Sequence, residues 1–235
     1  MATFNGSALF ISKYLIYCCS HPNFIRQRIE LNFTLFVFVT TLTTLRKKLS
    51  MSLPSVRRVV TGHNEQGNAV IALDGAPPNI IPFAAVPGTV FYEIWNTNAS
   101  PVPIDNGADP TNRALQLHPT PNGSIIRIVD IPPDAIQNSV SDEDIAAGFA
   151  QMGAAGATTQ KGDSPHKLMH RTETIDYGIL VAGELWLVLD EGETKLNVGD
   201  VVIQRGTNHA WSNRTNEIAR MVFILQDGKF AEGIA

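Results

Sequence analysis

The stretch HRTETIDYGILVAGE, residues 170–184, decides the fold. Polar and apolar residues alternate through its centre with the two-residue period of a strand, and Gly183 marks a turn before the next apolar run, ELWLVLD. Alternate side chains of an extended chain share a face, so His170, Thr172, Thr174 and Asp176 look one way and Tyr177 the other. A second stretch, GDVVIQRGTNHAWSN at 199–213, repeats the design, with the turn RGTN leading into His209, Trp211 and Asn213 on one face. Taken singly, each histidine reads as a hydrogen-bonded strand residue. Together they place two imidazoles and a carboxylate on one β-scaffold, the set favoured by non-haem Fe(II), with Mn and Zn as alternatives. Trp211 shares the face of His209, where it either walls a cavity for an aromatic molecule or fills the core.

Outward from these stretches the chain keeps the rhythm of short strands. VRRVVTG and NAVIAL flank the polar turn HNEQG, a Pro/Gly-rich passage leads to VFYEIWNT, and PVPIDNGADPTN reads as loop. GSIIRIVDIPPD is a strand stopped by two prolines, carrying Arg127 either inward toward an acidic or enolic substrate or outward to solvent. SVSDEDIAAGFAQMGAAGA opens with acids behind a serine cap and predicts a short helix. Beyond Gly183 the strands ELWLVLD, TKLNV, VVIQ, HAWSN and IARMVFILQDG follow with glycine and Asp/Asn turns between them. Strands this short and turns this regular point to an all-β antiparallel barrel or jelly roll. His166, four residues before His170, follows Ser-Pro and reads as loop, as a less favoured third imidazole; Asn213 reads as a turn anchor.

Composition narrows the function classes. Residues 1–50 carry six Lys/Arg against one acid, leaving twelve basic and twenty-one acidic residues, a net charge of −9, on the rest. An acidic body is not that of a nucleic-acid binder. Both cysteines, Cys18 and Cys19, lie in the first fifty residues, so the body offers no disulfide, zinc-thiolate cluster or thiol nucleophile. No glycine fingerprint joins a strand to a helix, so no nucleotide cofactor is expected, and no serine nucleophile elbow is present. The run LNFTLFVFVTTLTTL is Thr-rich and shorter than the roughly 20 apolar residues of a spanning helix. Residues 1–50 therefore read as a non-globular extension, either a stretch foreign to the reading frame or a targeting segment, and the globular part as 51–235, cytoplasmic and without membrane contact.

Residues 170–213 resemble the two motifs of the cupin superfamily. His170 falls at the first histidine of H-x-H, Thr172 at the second, and Asp176 at the glutamate, with six residues between it and the motif glycine Gly183. Gly199 opens the second motif, Gln204 stands for its proline, and Gly206, His209 and Asn213 close it. The span from about 56 to 228 further resembles the small cupin-domain oxidoreductases of fungal polyketide clusters of the salicylaldehyde type. The resemblance implies a double-stranded β-helix, the cupin jelly roll, with a short helical insertion, as one domain over 51–235 with its core motifs in 166–228. It implies a small polyketide-derived substrate, a divalent metal (Fe, Mn or Zn) on His170, Asp176 and His209, and a substrate lined by Trp211, Arg127 and Thr172. A metal-free isomerase or dehydratase using His209 and Asp176 as acid and base stays open, as does a binding module without turnover. Small cupins of this kind commonly dimerise through an N-terminal strand, so a homodimer is expected. Because every strand lies beyond Met51, removing residues 1–50 is expected to leave a cooperatively folding body, read as an unchanged β-type circular dichroism spectrum with a single thermal transition.

Overall fold

Alternation of apolar and polar side chains, cut by glycine and Asx turns, builds eleven strands among residues 53–234, which the computed structural model describes. The expectation for residues 1–50 lies outside the described residues. The strands are β1 (Arg58–His63), β2 (Ala69–Gly75), β3 (Ile80–Pro82), β4 (Val90–Thr97), β5 (Ser124–Ile131), β6 (Thr174–Ala182), β7 (Leu185–Leu189), β8 (Glu193–Leu196), β9 (Val201–Arg205), β10 (His209–Ser212) and β11 (Ala219–Asp227). Two helices, α1 (Asp134–Gln137) and α2 (Asp142–Gln151), stand between β5 and β6. All pairings are antiparallel: a hairpin β1–β2, a three-stranded sheet β10-β7-β8 and a six-stranded sheet β3-β4-β5-β11-β6-β9. The fold is a mainly β jelly roll with a short helical insertion, as the resemblance implied.

Turn chemistry acts as the sequence suggests. The Asn64 carboxamide oxygen accepts the backbone N–H of Gln66 and Asn68 at 3.1 and 2.9 Å, closing the β1–β2 hairpin. Ser141 caps α2 by accepting the Asp144 N–H at 3.1 Å, and the acids Asp142, Glu143 and Asp144 sit in the positive first turn. Gly183 holds a φ of +79°, and a β-carbon there would lie 2.8 Å from the Ala219 backbone. Any other residue at this motif glycine would push β11 away from β6. Asn213 does anchor a turn, donating to the carbonyls of Ile131 and Glu217 at 2.9 and 2.8 Å.

Two elements depart from the sequence reading. The Pro/Gly-rich passage contains strand β3, which tolerates Pro82 because it lies at a sheet edge. The prolines ending β5 lead directly into α1, whose Asp134 carboxylate accepts the Ser212 hydroxyl at 2.6 Å and the Asn213 N–H at 2.7 Å, fastening the helical segment to the end of β10.

The core lies between the sheets, with Phe91, Ile125, Val129, Leu180, Leu185 and Met221 buried. The outer face of the larger sheet is also apolar where an open antiparallel sheet normally turns polar. Tyr177 faces Ile203 and Ile179 faces Val201 across β6 and β9, and Tyr177, Val201 and Ile203 are exposed. The hairpin likewise exposes Val59, Val70, Ile71 and Leu73. No helix among the described residues is long and apolar enough to cross a membrane.

Candidate functional site

The inward parity of β6 holds: Thr174 and Asp176 are buried and Tyr177 is exposed. Thr172, just before the strand, is also buried and its hydroxyl lies 2.7 Å from that of Thr174. His170 pairs with His209 by a reciprocal backbone bridge, each N–H donating to the other's carbonyl at 2.9 Å. Their ring centroids are consequently 4.3 Å apart.

Each imidazole is aimed by its own main chain. His170 Nδ1 lies 2.8 Å from the Leu168 carbonyl and His209 Nδ1 lies 3.0 Å from that of Thr207. A carbonyl only accepts, so each Nδ1 carries the proton and each Nε2 presents a lone pair. Burial holds the His170 pKa below the usual imidazole value, and burial with the neighbouring His170 holds His209 well below it. Both rings are therefore neutral bases at physiological pH.

Asp176 is shifted the other way. Burial raises its carboxyl to about 6, against the opposing effects of the Thr174 hydroxyl and the Arg127 charge. Its Oδ1 is buried without a hydrogen-bond partner. Such an oxygen is costly to keep and is available to a bound molecule.

His170, Thr172, Asp176, His209, Trp211 and Arg127 all line one cavity of about 140 Å³. Its walls are otherwise apolar, with Val86, Phe91, Leu117, Met152 and Leu168 among them. A chain of rings runs along it from Phe149 through His170, His209 and Trp211 to Phe223, with centroid spacings of 5.4, 4.3, 5.4 and 5.3 Å. Phe149 comes from α2 and was missed by the sequence reading, although the helix's apolar positions were its signal. Arg127 points inward, but Glu93 holds it: Nε lies 2.9 Å from Glu93 Oε1, and both side chains are almost fully buried. Glu93 too was missed; its inward parity in VFYEIWNT, two residues from Phe91, was the readable sign.

His166 is buried but turned elsewhere. Its Nε2 lies 3.5 Å from Asp134 Oδ1 and its Nδ1 accepts the Leu168 N–H at 3.1 Å. The expected three-ligand ion centre is not assembled either. Among the described residues no three His, Cys, Asp or Glu side chains converge closely enough to hold a metal ion. The position that would supply a further imidazole is Thr172, whose hydroxyl is turned to Thr174. The donors are of the kind a divalent ion takes, but their side chains are not drawn together in this arrangement.

A raised acid carries a stability signature. Native Asp176, with its pKa lifted to about 6 from 3.8, binds its proton more tightly than in the unfolded chain. Its favourable contribution is thus complete below about pH 4 and lost as pH rises through about 6. Asp176→Asn is therefore expected to stabilise the protein at pH 8 by on the order of 3 kcal/mol at most, and the gain to vanish toward pH 4. Urea denaturation across that pH range measures it; a pH-independent difference would contradict it.

A family model for the cupin domain matches residues 157–225, a span containing His170, Asp176, His209 and strands β6 to β11 up to Leu225. The chain is 34% identical over 192 residues to phomopsin biosynthesis cluster protein D of Diaporthe leptostromiformis, covering 78% of this chain and 85% of that protein. It is 31% identical over 190 residues to the cupin-domain-containing oxidoreductase virC of Hypocrea virens, covering 75% and 79% respectively. Among solved structures, the cupin domain of Schizosaccharomyces pombe Cnp3 matches 74% of this chain and 89% of its own at 9% identity, with a TM-score of 0.36, too low to build on. With the motif residues on one cavity and relatives of this identity over most of their length, the chain belongs to the cupin superfamily.

Proposed function

We propose that the chain is a cupin enzyme of fungal secondary metabolism that acts on a small polyketide-derived molecule inside the barrel, with Asp176 and His209 handling its protons. The observation that carries this reading is the pairing of an acid raised to about 6 with an imidazole lowered by burial on one apolar cavity. Groups whose environments drive their pKa values from their ordinary range mark acid–base sites.

At neutral pH the Asp176 carboxylate is the proton acceptor. Once protonated it is an acid of pKa about 6, able to return the proton to a second atom of the same molecule. His209 Nε2 accepts a hydrogen bond from a substrate hydroxyl, and Trp211 stacks on a ring. Proton removal and return balance without any co-reactant, giving an isomerisation or enolisation. Oxidoreduction is the second reading, supported by the names of the relatives in Hypocrea virens and Neurospora crassa; there the same pair would manage the protons of a redox step.

Under the first reading kcat/KM rises with pH through about 6 and levels above it, and Asp176→Asn or His209→Ala costs roughly 10²-fold or more. Chelator treatment leaves that rate unchanged. Loss of rate on chelation, with bound metal found by elemental analysis, moves the assignment to the redox reading. Full turnover in both variants leaves a ligand-binding module.

The working unit in this proposal is a homodimer. The β1–β2 hairpin leaves Val59, Val70, Ile71 and Leu73 exposed, and the β9 edge with its apolar outer face is a hazard unless covered. Six strands of three to nine residues at ~4.8 Å spacing and ~3.3 Å rise present a face of roughly 600 Å². With the hairpin added, that reaches the order of 800 Å² per partner that a stable interface needs. Tyr177→Glu or Ile203→Glu is expected to convert the dimer to a monomer in sedimentation equilibrium, and a monomeric parent protein would contradict it.

A further inference from the structure

The Arg127 guanidinium sits on the cavity wall, where a free cation would attract carboxylates. It is not free. The Glu93 carboxylate lies against it, with Nε 2.9 Å from Oε1 and the second terminal nitrogen donating to Oε2 at 3.4 Å. The backbone carbonyls of Gln116 and Leu117 accept from the terminal nitrogens at 2.6 and 3.2 Å. Phe91 covers the group from another side, its ring centroid 5.6 Å from the guanidinium carbon. The other charged groups facing Arg127 are Asp176, on the same cavity, and Arg113, beside the wall segment.

We propose that Glu93 is a specificity-determining residue: by neutralising Arg127 it makes the barrel select uncharged single-ring molecules and reject their carboxylates. The inference rests on the reading of the cavity as the ligand site. Size follows from the cavity of about 140 Å³, close to the roughly 150 Å³ of an apolar cavity that accepts one benzene. Ring character follows from the run of Phe149, His170, His209, Trp211 and Phe223 along the wall. Rejection of carboxylates follows from charge. With Arg127 committed to Glu93, the unpaired oxygens left among the lining residues belong to Asp176 and Gln137, both of which accept from a hydroxyl or amide donor, and the Asp176 carboxylate repels an anion. An anion entering there leaves water without a counter-charge, the costly case.

Benzamide and benzoate have nearly the same shape and differ in charge, so isothermal titration of the full chain with each at neutral pH isolates the effect. The parent protein is expected to bind benzamide and to bind benzoate more weakly by roughly ten-fold or more. Glu93→Gln, which frees the guanidinium, is expected to shift the preference by at least that factor toward benzoate. Should that variant fail to fold, the parent ratio still decides, and the volume-conserving double variant Glu93→Met/Arg127→Met supplies the complement by retaining the benzamide preference. Equal or tighter binding of benzoate by the parent overturns the proposal while leaving the cavity as a ligand site. An unchanged ratio in folded Glu93→Gln overturns the role of Glu93. Failure of both compounds to bind overturns the ligand-site reading itself.

Discussion

The reciprocal backbone bridge between His170 and His209 is the contact on which the site depends. His209 opens β10 in the smaller sheet, and His170 lies just ahead of β6 in the larger one, so two hydrogen bonds of 2.9 Å join the sheets at the cavity. The same pairing sets the 4.3 Å ring spacing and lowers His209 further through its neighbour. It also fixes the start of β6, and with it the inward parity that buries Thr174 and Asp176 and exposes Tyr177. A slip of one residue would send that whole set to the outer face.

The cavity shows two ways of holding buried charge. Arg127 is compensated by Glu93 and two carbonyls, at the expense of desolvating both ions. Asp176 is left with one oxygen unsatisfied, and its carboxyl rises to about 6. The ion pair turns its charges on each other, whereas the raised acid keeps an oxygen open to the cavity.

Most of the barrel was readable because period-two alternation and Asx or glycine turns are local signals. The faces of His170, Asp176 and Tyr177 followed from strand parity, and Ser141 was recognisable as a cap from the acids behind it. What could not be read depends on partners far apart in sequence. The Glu93–Arg127 pair joins residues thirty-four apart on neighbouring strands, and Asp134 reaches Ser212 across seventy-eight. The convergence expected of His170, Asp176 and His209 illustrates the limit: parity placed them on one cavity, but parity carries no information about the last few ångströms between side chains.

Each imidazole takes its orientation from a carbonyl two residues earlier in its own chain, at Leu168 and Thr207. The mounting of both rings is thereby written into the local backbone and owes nothing to the side chains opposite. A lineage built on this barrel can exchange the residue at 172, recharge 93 or lengthen 176 and still inherit two lone pairs presented in the same directions. Divergence of chemistry within such a scaffold requires no rebuilding of its histidines, only redecoration of the wall they face.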